Sequence, residues 1–194
     1  MDYCINHYIK KLESFREDDF TREIILPLFE SMGYHRVEFN GGPYERGIDA
    51  IATIKNPPHR LPKVIYIQSK KIKKSDRENS RAISDLGHQI RQACEIGFKS
   101  ALDKSILKPT EIYITTPNIV TQRFHEELYD QFTSVASKPI FIMDGADIIE
   151  SIKQYCPQLL DKLNTLKDKI ANEIITPHGN QDLLNALKSD RKKN

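Results

Sequence analysis

Two short runs of β-branched and aromatic residues constrain the fold of this chain most, because each has the length of one strand. The runs cover residues 48–55 and 63–70, and the segment between them contains the consecutive prolines Pro57 and Pro58. Proline has no backbone donor, so such a segment is a loop and does not continue a sheet. The pattern therefore predicts two antiparallel strands joined by a loop.

Segments with helical and extended periodicity alternate along the rest of the chain. Residues 20–33 place apolar residues on one helical face and end at Gly33, while Pro27 predicts a kink or a late start of this helix. The other predicted elements are strands at 35–40, 111–115 and 139–143 and helices at 80–98, 120–132 and 146–155. The order αβββαβαβα predicts an α/β fold in which a three-stranded meander precedes right-handed helical crossovers.

A chain of 194 residues suits one domain with a helical tail. We predict a core domain over residues 1–155 and a C-terminal helical extension over 156–194, with helices at 157–173 and 180–190. The leucines of the first of these helices suit either a dimer interface or packing on the same domain.

Composition excludes several classes of protein. Apolar residues make up 39% and charged residues 29% of the chain, as in soluble globular proteins. No apolar run approaches the roughly 18 to 20 residues of a membrane span, and the N-terminus resembles no secretory signal, so we expect a cytoplasmic protein. Cys4, Cys94 and Cys156 are odd in number and widely spaced, which predicts plain thiols without a disulfide or a zinc site.

Polar residues whose side chains could take part in catalysis lie at the facing ends of the two central strands. Gly47-Ile48-Asp49 begins the first strand and Gln68-Ser69-Lys70 ends the second. Antiparallel pairing brings Asp49 near Lys70, and alternation along a strand directs Gln68 and Lys70 to the same side. An acid, an amide and an amine at one point suit metal-assisted hydrolysis of a phosphodiester.

Each of these residues has an expected role. Asp49 is the principal Mg²⁺ ligand, because Mg²⁺ prefers carboxylate and other oxygen ligands. Gln68 offers a carbonyl oxygen near the metal, and the backbone carbonyl of Ser69 adds another ligand. Lys70 positions or deprotonates the attacking water, or stabilises the developing negative charge.

Positive charges follow the second strand, although the net charge of the chain is only +2. Such a patch suits phosphate neutralisation, and a solvated lysine-rich loop is the alternative. The candidate nucleic-acid contacts are Lys71, Lys73, Lys74 and Arg77, with Arg46 before the first strand.

These motifs resemble the PD-(D/E)xK restriction-endonuclease superfamily, in particular its Mrr-like branch. The resemblance covers residues about 18 to 155 and includes Gly33-Tyr34, Gly41-Gly42, Gly47-Ile48-Asp49, Gln68-Ser69-Lys70 and the strands at 112–116 and 140–145. It implies a restriction-endonuclease-like mixed β-sheet flanked by helices.

The resemblance also implies roles for individual residues. Asp49 would bind the metal, Gln68 would replace the usual glutamate beside it, and Lys70 would be the catalytic lysine. The family places a further acidic residue on its first helix. We expect Glu23 in that role, as a catalytic and metal-binding residue, with Glu30 as the alternative.

The predicted function is a DNA endonuclease that uses Mg²⁺, with Mn²⁺ as an alternative, in prokaryotic defence against foreign DNA. A homodimer or higher oligomer and a separate sensor or recognition module are the expected protein partners. Two other functions fit the same fold: a nucleic-acid-binding module without catalysis and a structure-specific junction resolvase. Retention of Asp49, Gln68 and Lys70 favours an active enzyme.

Overall fold

The computed structural model describes most of the chain in two compact units, residues 1–157 and 158–194. The described residues are 3–40, 48–54, 62–72, 76–99, 105–133 and 138–165. In the second unit, residues 158–165 are helical. The rest of the predicted helix at 157–173 and all of that at 180–190 lie outside the described residues.

The first unit contains an α/β arrangement of helices and strands. The helical elements are α1 (Tyr3–Ser14), α2 (Glu17–Phe20), a π-helical turn (Thr21–Ile25), α3 (Leu26–Ser31), α4 (Asp76–Ile96), α5 (Gln122–Thr133) and α6 (Gly145–Tyr155). The strands are β1 (Arg36–Phe39), β2 (Ala50–Ile54), β3 (Lys63–Ser69), β4 (Phe98–Lys99), β5 (Ile106–Leu107), β6 (Glu111–Thr115) and β7 (Ile140–Met143). None of the helices in the described part of the chain is long and apolar enough to span a bilayer.

A five-stranded mixed sheet organises this unit in the order β1-β2-β3-β6-β7. The first three strands are antiparallel neighbours, and β6 and β7 add in parallel after helical connections. This topology confirms the predicted mixed sheet with an initial meander. A separate ribbon of β4 and β5 and the N-terminal helix α1 were not predicted. Ile5, Ile9 and Leu12 carried the helical spacing that indicates α1.

The helix before the sheet changes its hydrogen-bond pattern ahead of Pro27. Helical structure begins at Glu17 and widens into the π-helical turn, and Pro27 then occupies the first turn of α3. Proline is tolerated there because an N-terminal backbone N–H has no partner within the helix. The helix therefore starts earlier than predicted, and the irregularity precedes the proline.

Gly33 ends this helix as predicted. Its φ of +93° is in the left-handed region, where glycine has no steric penalty. The Gly33 N–H donates to the Glu30 carbonyl at 3.0 Å, and the Tyr34 N–H donates to the Phe29 carbonyl at 3.2 Å. This pair of bonds is the Schellman motif, and the Phe29 and Tyr34 rings pack with centroids 5.1 Å apart.

Apolar side chains on one face of the sheet pack against α4 and α5. They include Val64 and Tyr66 of β3 and Ile112 and Ile114 of β6, which meet residues such as Ile90 in a common core. Alternation along β3 directs Ile65, Ile67 and Ser69 to the other face. The helical segment containing Thr21 contacts that face, so β3 is covered on both sides.

The start of α6 requires a residue without a side chain, because the backbone of the preceding loop lies against it. A Cβ at Gly145 would lie 2.4 Å from the Pro117 carbonyl oxygen. We expect Gly145→Ala to lower the free energy of unfolding by about 1–3 kcal/mol, since backbone must move to admit the methyl group. Urea unfolding followed by circular dichroism measures this change.

Gly87→Ala in α4 is the matched control for this substitution. A Cβ at Gly87 meets its nearest atom, Phe132 Cε1, at an ordinary contact distance of 3.5 Å. Alanine is favoured over glycine inside a helix, so this variant should gain about 0.5–1 kcal/mol. Equal stabilities for the two variants would contradict the close approach at Gly145.

Candidate active site

The hairpin of β2 and β3 brings Asp49 opposite Gln68. Ala50 pairs with Ile67, and the Asp49 N–H donates to the Ile67 carbonyl at 3.1 Å, which continues the ladder by one residue. Asp49 Oδ2 accepts two hydrogen bonds, from Gln68 Nε2 at 3.0 Å and from the Ser69 backbone N–H at 2.6 Å. Three predicted site residues therefore meet at the end of β3.

Only the nitrogen of the Gln68 side-chain amide has a hydrogen-bond partner among the described residues. This nitrogen donates to Asp49, but the amide Oε1 atom is buried, and no described donor lies within hydrogen-bonding distance. Only 5% of Gln68 is exposed to solvent. A buried acceptor without a hydrogen-bond donor is costly, and either a water molecule or a bound cation would satisfy it.

A hard divalent cation fits this orphaned oxygen. The Gln68 amide oxygen lies on a side chain whose nitrogen bonds Asp49, so a carboxylate and a neutral oxygen are offered from adjacent strands. Among the described residues, no group of three or more histidine, cysteine, aspartate or glutamate side chains is placed to hold a metal ion. A cation here would therefore depend on Asp49, Gln68 and backbone carbonyls such as that of Ser69.

The carboxylate that contacts the end of β3 from the first helical region is Glu17. Its Oε1 accepts the Lys71 backbone N–H at 3.0 Å, and its Oε2 lies 3.5 Å from Lys70 Nζ. Lys70 itself follows β3, and its backbone N–H donates to the Thr115 carbonyl at 2.9 Å. The structure thus connects Lys70 with Glu17, and it connects Asp49 with Gln68 and Ser69.

The sequence predicted Glu23, with Glu30 as the alternative, as the acidic residue of the metal site, and that role stays a prediction; the contacts of Glu17 were not predicted. Glu23 is half-buried and lies two residues after Thr21, which faces Ser69, and helical residues two apart point in different directions. Glu30 is exposed and lies about 20 Å further along the helix than Glu17. Three consecutive acidic residues from Glu17 were the missed signal, because acidic side chains are enriched in a first helical turn.

Lys71, a predicted phosphate contact, makes a contact within the protein, and its role in binding nucleic acid stays a prediction. Its ammonium donates to the Glu13 backbone carbonyl at 2.8 Å. Asn118 strengthens the same junction, since its Nδ2 donates to Glu13 Oε1 at 3.0 Å and its Oδ1 accepts the Ile72 N–H at 3.1 Å. Residues 71 and 72 are therefore fastened to α1 and to the loop after β6.

The structure does not describe the side chains of the remaining predicted DNA contacts. Lys73, Lys74 and Arg46 lie outside the described residues, as does Gly47, and Arg77 is described only as part of the first turn of α4.

Burial raises the pKa of the Cys94 and Cys156 thiols above its ordinary value, which makes both thiols less nucleophilic.

The five-stranded mixed sheet flanked by helices has the arrangement of a restriction-endonuclease-like fold. Residues 12–98 match the family model Mrr_cat, described as restriction endonuclease, which confirms the resemblance to the Mrr-like branch. The match contains Glu17, Asp49, Gln68 and Lys70, and it supports a nuclease function. Searches of curated proteins and of solved structures found no match.

Glu17 should control the order of the segment that follows β3. We expect Glu17→Ala to increase hydrogen exchange at the Lys71 backbone amide roughly tenfold, because the loss of a hydrogen bond to a charged, partly exposed acceptor costs about 1–1.5 kcal/mol. Hydrogen exchange followed by NMR measures this change. Glu30→Ala, at an exposed position of the same helical region, should leave exchange at Lys71 unchanged. An equal effect of both variants would contradict the assignment.

Proposed function

We propose that this protein is a Mg²⁺-dependent endonuclease that hydrolyses phosphodiester bonds in DNA. The observation that carries the proposal is the buried Oε1 of Gln68, which has no donor among the described residues and lies on a side chain that bonds the Asp49 carboxylate. The match to a restriction endonuclease family model over the same residues supports it independently. A simple structural pair would satisfy both ends of the amide, whereas this pair keeps one oxygen for a ligand.

Asp49 Oδ1, Gln68 Oε1 and the Ser69 carbonyl are the groups that would hold the cation. Held there, a divalent ion would supply Lewis-acid chemistry to the phosphate and to the attacking water. Two hydrogen bonds to Asp49 Oδ2 hold the carboxylate in one orientation before any ligand arrives. Mn²⁺ would suit the same oxygen ligands.

Lys70 would supply the positive charge for the scissile phosphate. Its ion pair with Glu17 is long, and both side chains are more than one third exposed, at 36% and 38%. Such pairs contribute little stability, so exchange of Glu17 for a phosphate oxygen costs little. In this position the ammonium stabilises negative charge as it develops and orients the attacking water. Glu23, with Glu30 as the alternative, stays the proposed acidic residue of the first helix at the metal site, and Glu17 is the resting partner of Lys70.

We further propose that the enzyme acts in the cytoplasm on foreign DNA as part of prokaryotic defence. One site of this kind cuts one strand, so a double-strand break requires two copies or two cleavage events. A homodimer or higher oligomer would provide the second site, and a sensor or recognition module would provide specificity.

Cleavage of supercoiled plasmid tests the enzymatic activity. We expect nicking that depends on Mg²⁺ and falls at least about 100-fold in Asp49→Ala, which removes a ligand of the cation, and in Lys70→Ala, which removes the positive charge beside the phosphate. Lys63→Ala removes a lysine from the opposite end of β3 and should retain activity.

Two other outcomes would replace this proposal. Metal-independent DNA binding without cleavage would identify a binding module of the same fold. Cleavage confined to four-way junctions, with linear and supercoiled DNA intact, would identify a junction resolvase.

Thermal unfolding in the presence of Mn²⁺ or Mg²⁺ tests the cation site without DNA. At ten times the dissociation constant, a cation adds about 1.4 kcal/mol to the stability of the protein that binds it. Asp49→Ala should lose this gain. Gln68→Glu should lower stability without the cation through repulsion between two carboxylates, and it should increase the gain with the cation. Gln89→Glu, on the exposed face of α4, should change neither value.

A further inference from the structure

Three buried hydroxyl groups form a continuous chain beneath the end of β3. Thr21 Oγ1 lies 2.8 Å from Ser69 Oγ, which lies 3.0 Å from Thr115 Oγ1. Each of the three residues is at most 1% exposed. The chain runs from the π-helical turn through β3 to β6, on the face of the sheet opposite Gln68.

A hydroxyl group has one proton to donate, so the chain is directional. Thr21 Oγ1 lies 3.0 Å from the Glu17 carbonyl, and Thr115 Oγ1 lies 3.5 Å from the Gln68 carbonyl. Thr21 donates to Ser69 Oγ, which leaves Ser69 to donate to Thr115 Oγ1 and Thr115 to donate to the Gln68 carbonyl. Each of the three protons is then used once, and every oxygen of the chain has a partner.

Packing does not by itself demand hydroxyl groups at these positions. The preceding residues on this face of β3, Ile65 and Ile67, are fully buried and apolar, and valine has nearly the shape of threonine. The face becomes polar at Ser69, the residue whose backbone N–H donates to Asp49 Oδ2 at 2.6 Å. The polar chain thus coincides with the strand end that carries the candidate site.

Two parts of the site are connected by this chain. Ser69 is the central residue of the hydroxyl chain, and its backbone N–H donates to Asp49 and orients that carboxylate. Thr21 lies one helical turn after Glu17, which contacts Lys70 and the Lys71 amide. A displacement of the helix from β3 would therefore move Glu17 and the Asp49 donor together.

We propose that Thr21 is a positioning residue for the cation site and acts through the Ser69 hydroxyl on the Ser69 amide and Asp49. This inference rests on the proposed function, because it concerns the affinity of that site for its cation. Groups that orient metal ligands typically change affinity 10-fold to 100-fold when they are removed. Thr21 does not touch the cation, so its effect should appear in affinity more than in the rate at saturating cation.

The experiment compares Thr21→Val with Thr21→Ser by calorimetric titration of Mn²⁺ into the full chain without DNA. We expect Thr21→Val to bind Mn²⁺ about tenfold more weakly, because it keeps the shape of threonine and loses the hydroxyl. Thr21→Ser keeps the hydroxyl and should bind within about twofold of the wild type. In cleavage assays, Thr21→Val should recover wild-type kcat when Mn²⁺ is saturating.

Thr110→Val is the matched control for a lost threonine hydroxyl. Thr110 Oγ1 bonds both backbone groups of Val64 at the opposite end of β3. This variant should lose stability in thermal unfolding but keep the wild-type Mn²⁺ affinity. Ser69→Ala removes the contact between Thr21 and Ser69 from the side of β3. If both residues act through this contact, the double variant Thr21→Val/Ser69→Ala should bind Mn²⁺ no more weakly than the weaker of the two single variants.

The outcomes separate this inference from the proposed function. If wild-type binding of Mn²⁺ depends on Asp49, but Thr21→Val and Ser69→Ala both bind like the wild type, the positioning role is wrong and the cation site stands. If Thr21→Ser is impaired as strongly as Thr21→Val, the hydroxyl is not the responsible group. If Asp49→Ala does not change Mn²⁺ binding by the wild type, the proposed cation site itself fails.

Discussion

The candidate site depends on the contact of one carboxylate with the neighbouring strand. Asp49 Oδ2 accepts both the Ser69 backbone N–H and the Gln68 side-chain N–H across the β2–β3 hairpin. A charged acceptor with two donors is strongly oriented, and the second donor determines which end of the Gln68 amide stays unpaired. The ladder brings the two strands into this register, and the buried oxygen follows from it.

Structural contacts around the site come from elements that are distant in sequence. Glu17 reaches Lys70 and Lys71, while Glu13 and Asn118 hold the next part of the segment from α1 and from the loop after β6. The N-terminal helices thus contact the end of β3 directly. Lys71 illustrates this: it belongs to a basic run of the sequence, and its ammonium donates to the Glu13 backbone carbonyl.

Much of the fold was predictable because the responsible signals are local. Alternating apolar residues and turn residues define the hairpin that pairs Asp49 with Gln68, and Gly33 at the end of an amphipathic segment indicates a helix end. The helix α1 was also visible in the spacing of Ile9 and Leu12, but few apolar positions supported it.

The sequence by itself determined the order of the five strands of the main sheet and of the helices between them, and the presence of an acid, an amide and an amine near the end of β3, because residue spacing and strand alternation are local properties. Only the tertiary structure decided that Glu17 is the carboxylate near Lys70 and that Thr21 meets Ser69. The rotation of a helix about its axis depends on its packing and on the π-helical turn before Pro27. No local pattern specifies which helical side chain then faces a strand far along the chain.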